Sequence, residues 1–345
     1  MASGENRATR RRSVVKAITG ASGRIGSVLA QALAKRDGNH SVRAIDLERR
    51  GWAAKLDIEW VKGDILDRES LRAAFAGADV VYHLAALVSI DNDRAGELRT
   101  MNVTGTRNVV EAALECGVRR LIHFSSIHAY DQDPLDEILD ETRDPASGAH
   151  HDPYDRSKAA SEQEVRRGVE LGLDAVILNP TGVIGPFDSQ PSHIGQFFLN
   201  LHRRRIPALV VGGFDWVDVR DVVAAALAAE KRGGSGENYI LAGGWHSTHE
   251  LKQLSQLVTG VPAPGLVLPM FLARLWAPFQ VALDRHRGRR PLFTPAALHA
   301  LGGGNHRISS AKARAELGFS PRPVAESVRD AYRWFEEQGM LGGTA

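Results

Sequence analysis

Short apolar runs alternate with longer amphipathic segments through the first half of the chain. The runs SVVKAI, SVRAID, IEWVKGD, DVVYHLAA, RRLIHFSS and DAVILNP predict strands, and the segments GRIGSVLAQALAK, DRESLRAAFAG, NVTGTRNVVEAALECG and YDRSKAASEQEVRRGVELG predict helices. Strands that are apolar at nearly every position are typical of a parallel sheet with both faces covered. The pattern therefore predicts an α/β protein built on a Rossmann-type, doubly wound parallel sheet.

The alternation weakens after about Pro180. Glycine and proline become frequent there, and the chain ends in a helix-rich tail, SSAKARAELGFSPRPVAESVRDAYRWFEEQG. We predict a Rossmann domain over 13–180 and a smaller, mainly substrate-binding region over 181–345, part of which crosses back to the sheet. Residues 1–12 are polar and carry four arginines, and we expect them to form a disordered leader.

Composition limits the partners that the chain can have. A net charge of +2 lacks the strong basic excess of nucleic-acid-binding domains, so we do not expect nucleic acid as a partner. The single cysteine, Cys116, cannot form an internal disulfide, which indicates a reducing, cytoplasmic compartment. We expect no metal site. A homodimer is compatible with the sequence, but no motif specifies one.

The most apolar stretch is PAPGLVLPMFLARLWAPFQVAL, residues 262–283. Prolines, a glycine and Arg274 interrupt it, so we do not expect it to span a membrane. We interpret it as a lid or wall over the substrate site, which leaves peripheral contact with a membrane surface open. Packing of part of this stretch on the core is the alternative interpretation.

Three glycines with a spacing of three, Gly20, Gly23 and Gly26, follow the first predicted strand and begin the first predicted helix. Backbone amides at such a helix N-terminus, together with the helix dipole, bind a pyrophosphate. The spacing is G-x-x-G-x-x-G and differs from the dinucleotide fingerprint G-x-G-x-x-G. An ordinary tight turn between strand and helix is therefore the alternative to a dinucleotide site.

Asp46, at the end of the second predicted strand, favours the dinucleotide site. A carboxylate at this place accepts hydrogen bonds from the ribose hydroxyls of adenosine and repels a 2′-phosphate, so we expect NAD in preference to NADP. Arg24, Arg49 and Arg50 are close to Asp46 or to the glycines in sequence, which leaves NADP open.

Tyr154 and Lys158 are one helical turn apart in a predicted helix. A tyrosine is a poor acid–base group at neutral pH unless a cation lowers its pKa, and the lysine can supply that field and also hold a nicotinamide ribose. Ser125 and Ser126 end a buried strand, where ligands gather in a parallel sheet. One of these hydroxyls can orient a carbonyl for proton transfer from Tyr154. A half-exposed helix face and a strand-end turn are the alternatives.

The motifs TGASGRIG, GDI, HLAA, NVTGTRNVVEAA, FSSIHAY, YDRSK, LNPTGVIGP and WVDVRDVVAA occur in the order found in extended short-chain dehydrogenases/reductases of the NAD-dependent epimerase/dehydratase superfamily. The resemblance covers the chain from about Val14 to the final helix, and it is greatest to dihydroflavonol-reductase-like and 3β-hydroxysteroid-dehydrogenase-like members. It implies NAD(P)-dependent hydride transfer between nicotinamide and a secondary alcohol or ketone of a small, hydrophobic substrate.

The resemblance also implies roles for individual residues. Tyr154 would donate and accept the proton, Lys158 would be its partner, and Ser126 would be the orienting hydroxyl. Ser126 is preferred to Ser125 because the family's catalytic serine precedes by four residues the tyrosine that Tyr130 matches. Asp64 would accept from the adenine amino group while Ile65 packs on the ring. The residues expected to bind the cofactor are Gly20, Ser22, Gly23, Arg24, Ile25, Gly26, Asp46, Asp64, Ile65, Leu84, Ala85, Ala86, Tyr154, Lys158, Pro180 and Val183.

Other residues near these motifs allow more than one interpretation. Asn102 matches an asparagine near the family's active site, although a helix-capping role explains it equally well. Asn179 replaces an arginine that is common in the family's RPxxVYGP segment. His128, His150 and His151 are close in sequence to the predicted site, and we interpret them as solvated loop residues because no metal-ligand spacing supports them.

A nucleotide-sugar epimerase or dehydratase is the alternative function, since it uses the same serine, tyrosine and lysine. Its substrate carries a diphosphate that commonly needs arginines in the C-terminal region, but VVGGFDWVDVRD has none before Trp216. The run 203–205 of three arginines keeps this alternative open. A non-catalytic dinucleotide sensor is disfavoured because Tyr154 and Lys158 are both present.

Overall fold

Seven parallel strands form the central sheet. The computed structural model describes residues 14–88, 95–286, 294, 298 and 301–342. The sheet strands are β1 (Lys16–Thr19), β2 (Val42–Asp46), β3 (Glu59–Lys62), β4 (Val80–His83), β5 (Arg120–Phe124), β6 (Ala175–Pro180) and, from farther along the chain, β10 (Asn238–Leu241). Their order is β10-β6-β5-β4-β1-β2-β3, and every pairing is parallel. The strand order reverses between β1 and β4, which is where doubly wound sheets bind ligands. The predicted fold class is confirmed.

Helices cover both faces of the sheet because successive side chains of each strand point to opposite sides. On one face, Ile18 of β1 belongs to a core with α1 (Arg24–Asp37) and α7 (Val219–Arg232). On the other face, Ala17 belongs to a core with α2 (Arg68–Phe75), α4 (Gly105–Glu115) and α5 (Pro153–Glu170). Both faces are therefore buried, which explains the continuously apolar strands.

A smaller region follows β6. It contains a sheet of β7 (Gly182–Ile184), β9 (Gly213–Asp218) and β11 (Trp245–Ser247), in the order β11-β9-β7, and a parallel pair of β8 (Leu209–Val210) with β12 (Val267–Leu268). Its helices are α6 (His193–His202), α8 (Thr248–Thr259), α9 (Met270–His286) and α10 (Val324–Glu337). A separate core joins α6, α8 and α10. Between these elements, α7 and β10 return to the large sheet.

One feature of the fold lies outside the sequence pattern. The short helix α3 (Ala95–Leu98) continues into α4 through a π-helical segment, Arg99–Thr104, whereas the pattern predicted a regular helix that begins at Asn102. Within the part of the chain that the structure describes, no helix is long and apolar enough to cross a membrane. The expected leader over 1–12 lies outside the described residues.

Candidate active site

The glycine loop between β1 and α1 packs backbone against backbone. Gly20 has a φ of +71°, and a Cβ there would lie 2.7 Å from the backbone nitrogen of Ala85. At Gly26 a Cβ would lie 2.3 Å from the carbonyl oxygen of Gly20. Neither position accepts a larger residue without a shift of main chain, so the loop keeps its backbone exposed at the edge of the sheet.

The loop presents an uncapped helix N-terminus. Gly23 is the N-cap residue of α1, and no side chain caps the helix there or adds an acidic group in its first turn. The free N–H groups and the helix dipole therefore suit a phosphate. Asp46 lies beside the loop, where its carboxylate accepts from the N–H groups of Ser22 at 2.9 Å and of Leu47 at 2.8 Å. This arrangement of glycines, helix terminus and carboxylate fits a dinucleotide.

Several other residues predicted to bind the cofactor lie at or after carboxyl ends of sheet strands, whereas Arg24 and Ile25 lie in the first turn of α1, and Tyr154 and Lys158 lie in α5. Leu84, Ala85 and Ala86 follow β4, and the N–H of Leu84 donates to the carbonyl of Thr19 at 3.2 Å. Asp64 and Ile65 follow β3, and Pro180 and Val183 lie where β6 passes into β7. Ile65 is buried against Gly105 of α4, where a Cβ would meet its Cδ1 at 2.5 Å.

Arg24 contacts backbone carbonyls in and after β7. Its guanidinium donates to the carbonyls of Val183 at 3.0 Å, of Pro186 at 3.3 Å and of Gly185. It also lies 3.8 Å from the carboxylate of Asp188. Arg24 thus ties the start of α1 to the segment after β7, and its predicted contact with the cofactor remains a prediction.

Ser126, Tyr154 and Lys158 converge at the carboxyl end of β5. The hydroxyl of Ser126 lies close enough to Tyr154 to lower the pKa of the tyrosine, and it accepts from the N–H of His128 at 3.2 Å. Lys158 is buried one turn farther along α5, and its Nζ donates to the carbonyl of Phe124 at 3.3 Å. The neighbouring Ser125 has a buried Oγ with no hydrogen-bond partner among the described residues.

The electrostatics of this trio differ from the expectation. Burial raises the pKa of Tyr154 to about 12, opposed by the hydrogen bond from Ser126. Burial lowers the pKa of Lys158 to about 8, opposed by the charge of Glu162. The expected lowering of the pKa of Tyr154 by Lys158 is not seen: burial raises that pKa, and Lys158 is not among the groups that shift it. At neutral pH the tyrosine is protonated and can donate.

His128 lies against the trio. Its ring meets that of Tyr154 edge to face, with centroids 5.7 Å apart, and its Nδ1 is 3.1 Å from a carboxylate oxygen of Asp155. Burial opposes protonation, but the pairing with Asp155 is larger in sum and raises the pKa of His128. The interpretation of His128 as a solvated loop residue is wrong, since the one-turn helix Ile127–Ala129 folds it back onto α5.

A buried hydrogen-bond network of two asparagines and a glutamate holds the backbone of Ser126. Asn179 donates to the backbone carbonyl of Ser126 at 3.0 Å and to Glu162 at 2.6 Å. Asn238 donates to both Asn179 and Glu162 at 2.9 Å. These hydrogen bonds give Asn179 a structural role, which the sequence motif alone did not indicate.

Asn102 is a bridge and does not cap a helix. It is buried in the π-helical segment, where its amide donates to the carbonyl of Leu87 and to Ser157 Oγ, both at 3.0 Å, and its oxygen accepts from the N–H of Leu87 at 2.8 Å. The capping interpretation is wrong. Asn102 instead fixes the chain after β4 to α5, the helix that carries Tyr154.

Two buried histidines behind Lys158 were not predicted. His83 Nδ1 is 2.8 Å from Thr19 Oγ1, and its Nε2 is 3.0 Å from Thr106 Oγ1. The ring of His123 lies 5.2 Å from that of His83. Burial, with a smaller effect of Lys158, lowers the pKa of His83 to about 3, and burial also lowers the pKa of His123. Both rings are neutral near pH 7.

The other two histidines that the sequence places near the site, His150 and His151, form a small surface group with Asp131. His150 and His151 approach Asp131, with one ligand atom of each residue within 4.8 Å of the others. Ligands of one zinc ion lie about 3.4 Å apart, given bonds of roughly 2.1 Å in a tetrahedron. The group is wider than that, and we interpret it as a pairing of His151 with Asp131, whose closest atoms are 3.7 Å apart.

Comparison with known proteins identifies the family. The model of the NAD dependent epimerase/dehydratase family matches residues 17–242. "Sterol demethylase protein B" of Methylococcus capsulatus is 36% identical over 330 residues, which cover 94% of this chain and 99% of that protein. A Stigmatella aurantiaca protein, "4-hydroxy-2-methyl-3-oxo-4-farnesyl-3,4-dihydroquinoline-1-oxide ketoreductase", is 31% identical over 340 residues, 92% of this chain and 95% of that one. The crystal structure of gox2253 superposes with a TM-score of 0.80 at 33% identity, covering 95% and 99% of the two chains.

The chain belongs to the NAD-dependent epimerase/dehydratase family, within the extended short-chain dehydrogenases/reductases. It is an NAD-dependent oxidoreductase, and the resemblance inferred from the ordered motifs is confirmed. When bound, NAD supplies or accepts the hydride at its nicotinamide. The chain's own residues hold the cofactor, orient the substrate oxygen and move a proton to or from it.

Proposed function

We propose that this member of the family interconverts a secondary alcohol and a ketone on a hydrophobic small molecule, a sterol-like compound in the first instance. The observation that carries the proposal is the convergence of Ser126, Tyr154 and Lys158 at the carboxyl end of β5, where Lys158 is buried and its Nζ donates to the carbonyl of Phe124. Ser126 orients the substrate oxygen, Tyr154 exchanges a proton with it, and Lys158 holds the ribose of the nicotinamide. The protonated form of Tyr154 is the form that donates to a ketone.

The substrate class is supported by two independent observations. The relatives named for a sterol and for a farnesylated quinoline act, by their names, on large apolar compounds. In this chain, α9 carries several large apolar side chains that lie exposed, among them Phe271 at 70% and Trp276 at 60%. A nucleotide sugar would need cations for its diphosphate, whereas Arg203 already donates to the carbonyl of Met340 at 2.6 Å.

The test is a cofactor-reduction assay on the purified full chain. NAD is offered with a 3β-hydroxysterol, with a small secondary alcohol or with UDP-glucose, and formation of NADH is measured. We expect turnover of the sterol that is lost in Tyr154→Phe. Turnover or tight binding of UDP-glucose, with none of the sterol, would replace this proposal by the epimerase.

The proposal includes the organisation and location of the chain. Residues 13–180 form the cofactor domain and 181–345 mainly bind substrate, with α7 and β10 returning to the sheet. The protein acts in the cytoplasm, which is supported by its single, unpaired cysteine, Cys116. It acts on a small molecule and not on nucleic acid. It assembles as a homodimer. Sedimentation velocity tests the last point, since a monomer at micromolar concentration contradicts it.

A further inference from the structure

Helix α9 is built with its large apolar side chains facing outward. Phe271, Leu275, Trp276 and Phe279 are 60–71% exposed, and Leu272 is 40% exposed. At about 100° per residue these five positions span an arc of about 140° on one side of the helix. We call this side, made of Phe271, Leu272, Leu275, Trp276 and Phe279, the outer face of α9.

The opposite side of α9 packs on the protein through small residues. Ala273 and Ala277 are buried in a cluster with Val210 and Leu298, against which Met270 also packs. A helix that only stabilised the fold would bury its phenylalanines and tryptophan and expose its alanines, because burial is favourable in proportion to apolar area. The arrangement is the reverse. The outer face therefore fits an apolar environment that the described residues, 14–88, 95–286, 294, 298 and 301–342, do not supply.

The charges around the outer face select the occupant. Arg274 is exposed on α9 at the border of the outer face, and residues 262–283 contain no aspartate or glutamate. In the sequence, the stretch DRHRGRR over 284–290 follows and contains four arginines and one aspartate. A second copy of the chain would bring like charges together at this border. Anionic lipid headgroups instead pair with arginines, and aromatic side chains favour the boundary between headgroups and acyl chains.

We propose that the outer face of α9 docks the protein on an anionic membrane surface. The helix, about 25 Å long at 1.5 Å per residue, lies in the plane of the headgroups with its five apolar side chains toward the acyl chains. The strand pair β8–β12 joins α9 to β9, whose neighbour β7 follows Pro180 directly. Docking thus holds the substrate region at the phase in which a sterol-like molecule dissolves. This surface goes beyond the proposed activity and does not depend on it.

Vesicle binding by the full chain tests the proposal without any turnover. Co-sedimentation is measured with phosphatidylcholine vesicles that contain about one third phosphatidylglycerol, and with pure phosphatidylcholine. The variant Phe271→Ser/Trp276→Ser/Phe279→Ser should bind the anionic vesicles at least about tenfold more weakly, since binding scales with buried apolar area. The matched control is Leu257→Ser, which removes an 81% exposed leucine of α8 and should bind as the wild type does.

Charge is tested by Arg274→Glu, which should lose affinity about fivefold or more for the anionic vesicles and little for the neutral ones. Brominated lipid should quench Trp276, and that quenching should vanish in Trp276→Phe. Circular dichroism and the melting temperature show whether each variant is folded.

Three outcomes would overturn the proposal. The first is that the wild type binds neither kind of vesicle, and the second is that the triple variant and the Leu257→Ser control bind alike. The third is that the wild type is a dimer and the triple variant a monomer in sedimentation velocity while neither binds lipid, which would make the outer face a contact between copies. If vesicle binding follows the prediction but no sterol is turned over, the membrane surface stands and the proposed function fails.

Discussion

The buried histidine behind Lys158 gives the protein a specific sensitivity to acid. Thr106 Oγ1 donates to the carbonyl of Asn102 at 2.6 Å, so its oxygen accepts from His83 Nε2–H, and Nδ1 must accept from the hydroxyl of Thr19. A proton added at Nδ1 would oppose the hydrogen of Thr19. The geometry and the loss of hydration therefore both favour the neutral ring.

The size of the effect follows from the two pKa values. The pKa of His83 is about 3 in the folded protein and about 6.5 in the unfolded chain. Below pH 6.5 the unfolded chain takes up a proton that the folded protein refuses, so stability falls with pH from about 6.5 down to about 3. At pH 5, which is about 1.5 pH units below the pKa of the unfolded chain, the loss in free energy of unfolding is ~2 kcal/mol, at ~1.4 kcal/mol per pH unit. His123 acts in the same direction.

Urea unfolding followed by tryptophan fluorescence at pH 8 and pH 5 measures this loss. We expect the free energy of unfolding of His83→Gln to fall by about 2 kcal/mol less between pH 8 and pH 5 than that of the wild type. His40→Gln, which changes an exposed histidine before β2, is the control and should behave as the wild type. Equal losses in all three proteins would show that His83 is not held neutral by the fold.

Three further predictions concern the cofactor and the chemistry. Tyr154→Phe should reduce turnover by about 10²-fold or more, while its NAD affinity in calorimetry stays unchanged. Lys158→Ala should reduce both turnover and NAD affinity. Activity of Tyr154→Phe within tenfold of the wild type would remove Tyr154 from the mechanism. The wild type should bind NAD more tightly than NADP, and Asp46→Ala should narrow the difference; equal affinities in the wild type contradict this. Gly26→Ala should weaken NAD binding and lower the melting temperature, because its Cβ would lie 2.3 Å from the carbonyl oxygen of Gly20. The control is Gly265→Ala, whose Cβ would meet open space, and it should change neither quantity.

The sheet and the main site residues could be predicted because each leaves a local signal. Continuously apolar strands announce a sheet buried on both faces, and parallel strands bring their carboxyl ends to one edge. Gly20, Asp46 and Ser126 each follow or end a predicted strand, so the sequence places them at that edge without knowledge of any contact. The spacing of Tyr154 and Lys158 fixes them on one side of α5 for the same reason.

The contacts around these residues could not be predicted because they depend on distant parts of the chain. His128 meets Tyr154 only because a one-turn helix folds the chain back over α5. Asn179 and Asn238, on the neighbouring strands β6 and β10, meet only after β10 returns to the sheet. The pKa of Tyr154 depends on burial, which spacing alone does not reveal.

The stripe of large apolar residues in α9 shows a different limit. Apolar positions at 271, 275 and 279, with 272 and 276, have the helical spacing that normally faces a core. Sequence reasoning weighed a lid, a core helix and a membrane contact, and the pattern fits all three. The structure excludes packing of the stripe on the core of the described residues, because it buries Ala273 and Ala277 and leaves the stripe exposed. Periodicity shows that a helix has an apolar face, but only packing shows what that face meets.

The preference for NAD also becomes sharper once the arginines near Asp46 are placed. Arg24 donates to three backbone carbonyls, one within β7 and two just after it, so its guanidinium is occupied. Arg49 donates to the carbonyl of Ala54 at 2.8 Å, and its guanidinium lies over the ring of Trp60. Arg50 is exposed and remains to meet a 2′-phosphate, which the charge of Asp46 would repel. Two of the three arginines that left NADP open from sequence are thus held elsewhere by the fold, and an acid at the end of β2 then favours the cofactor with a free ribose hydroxyl.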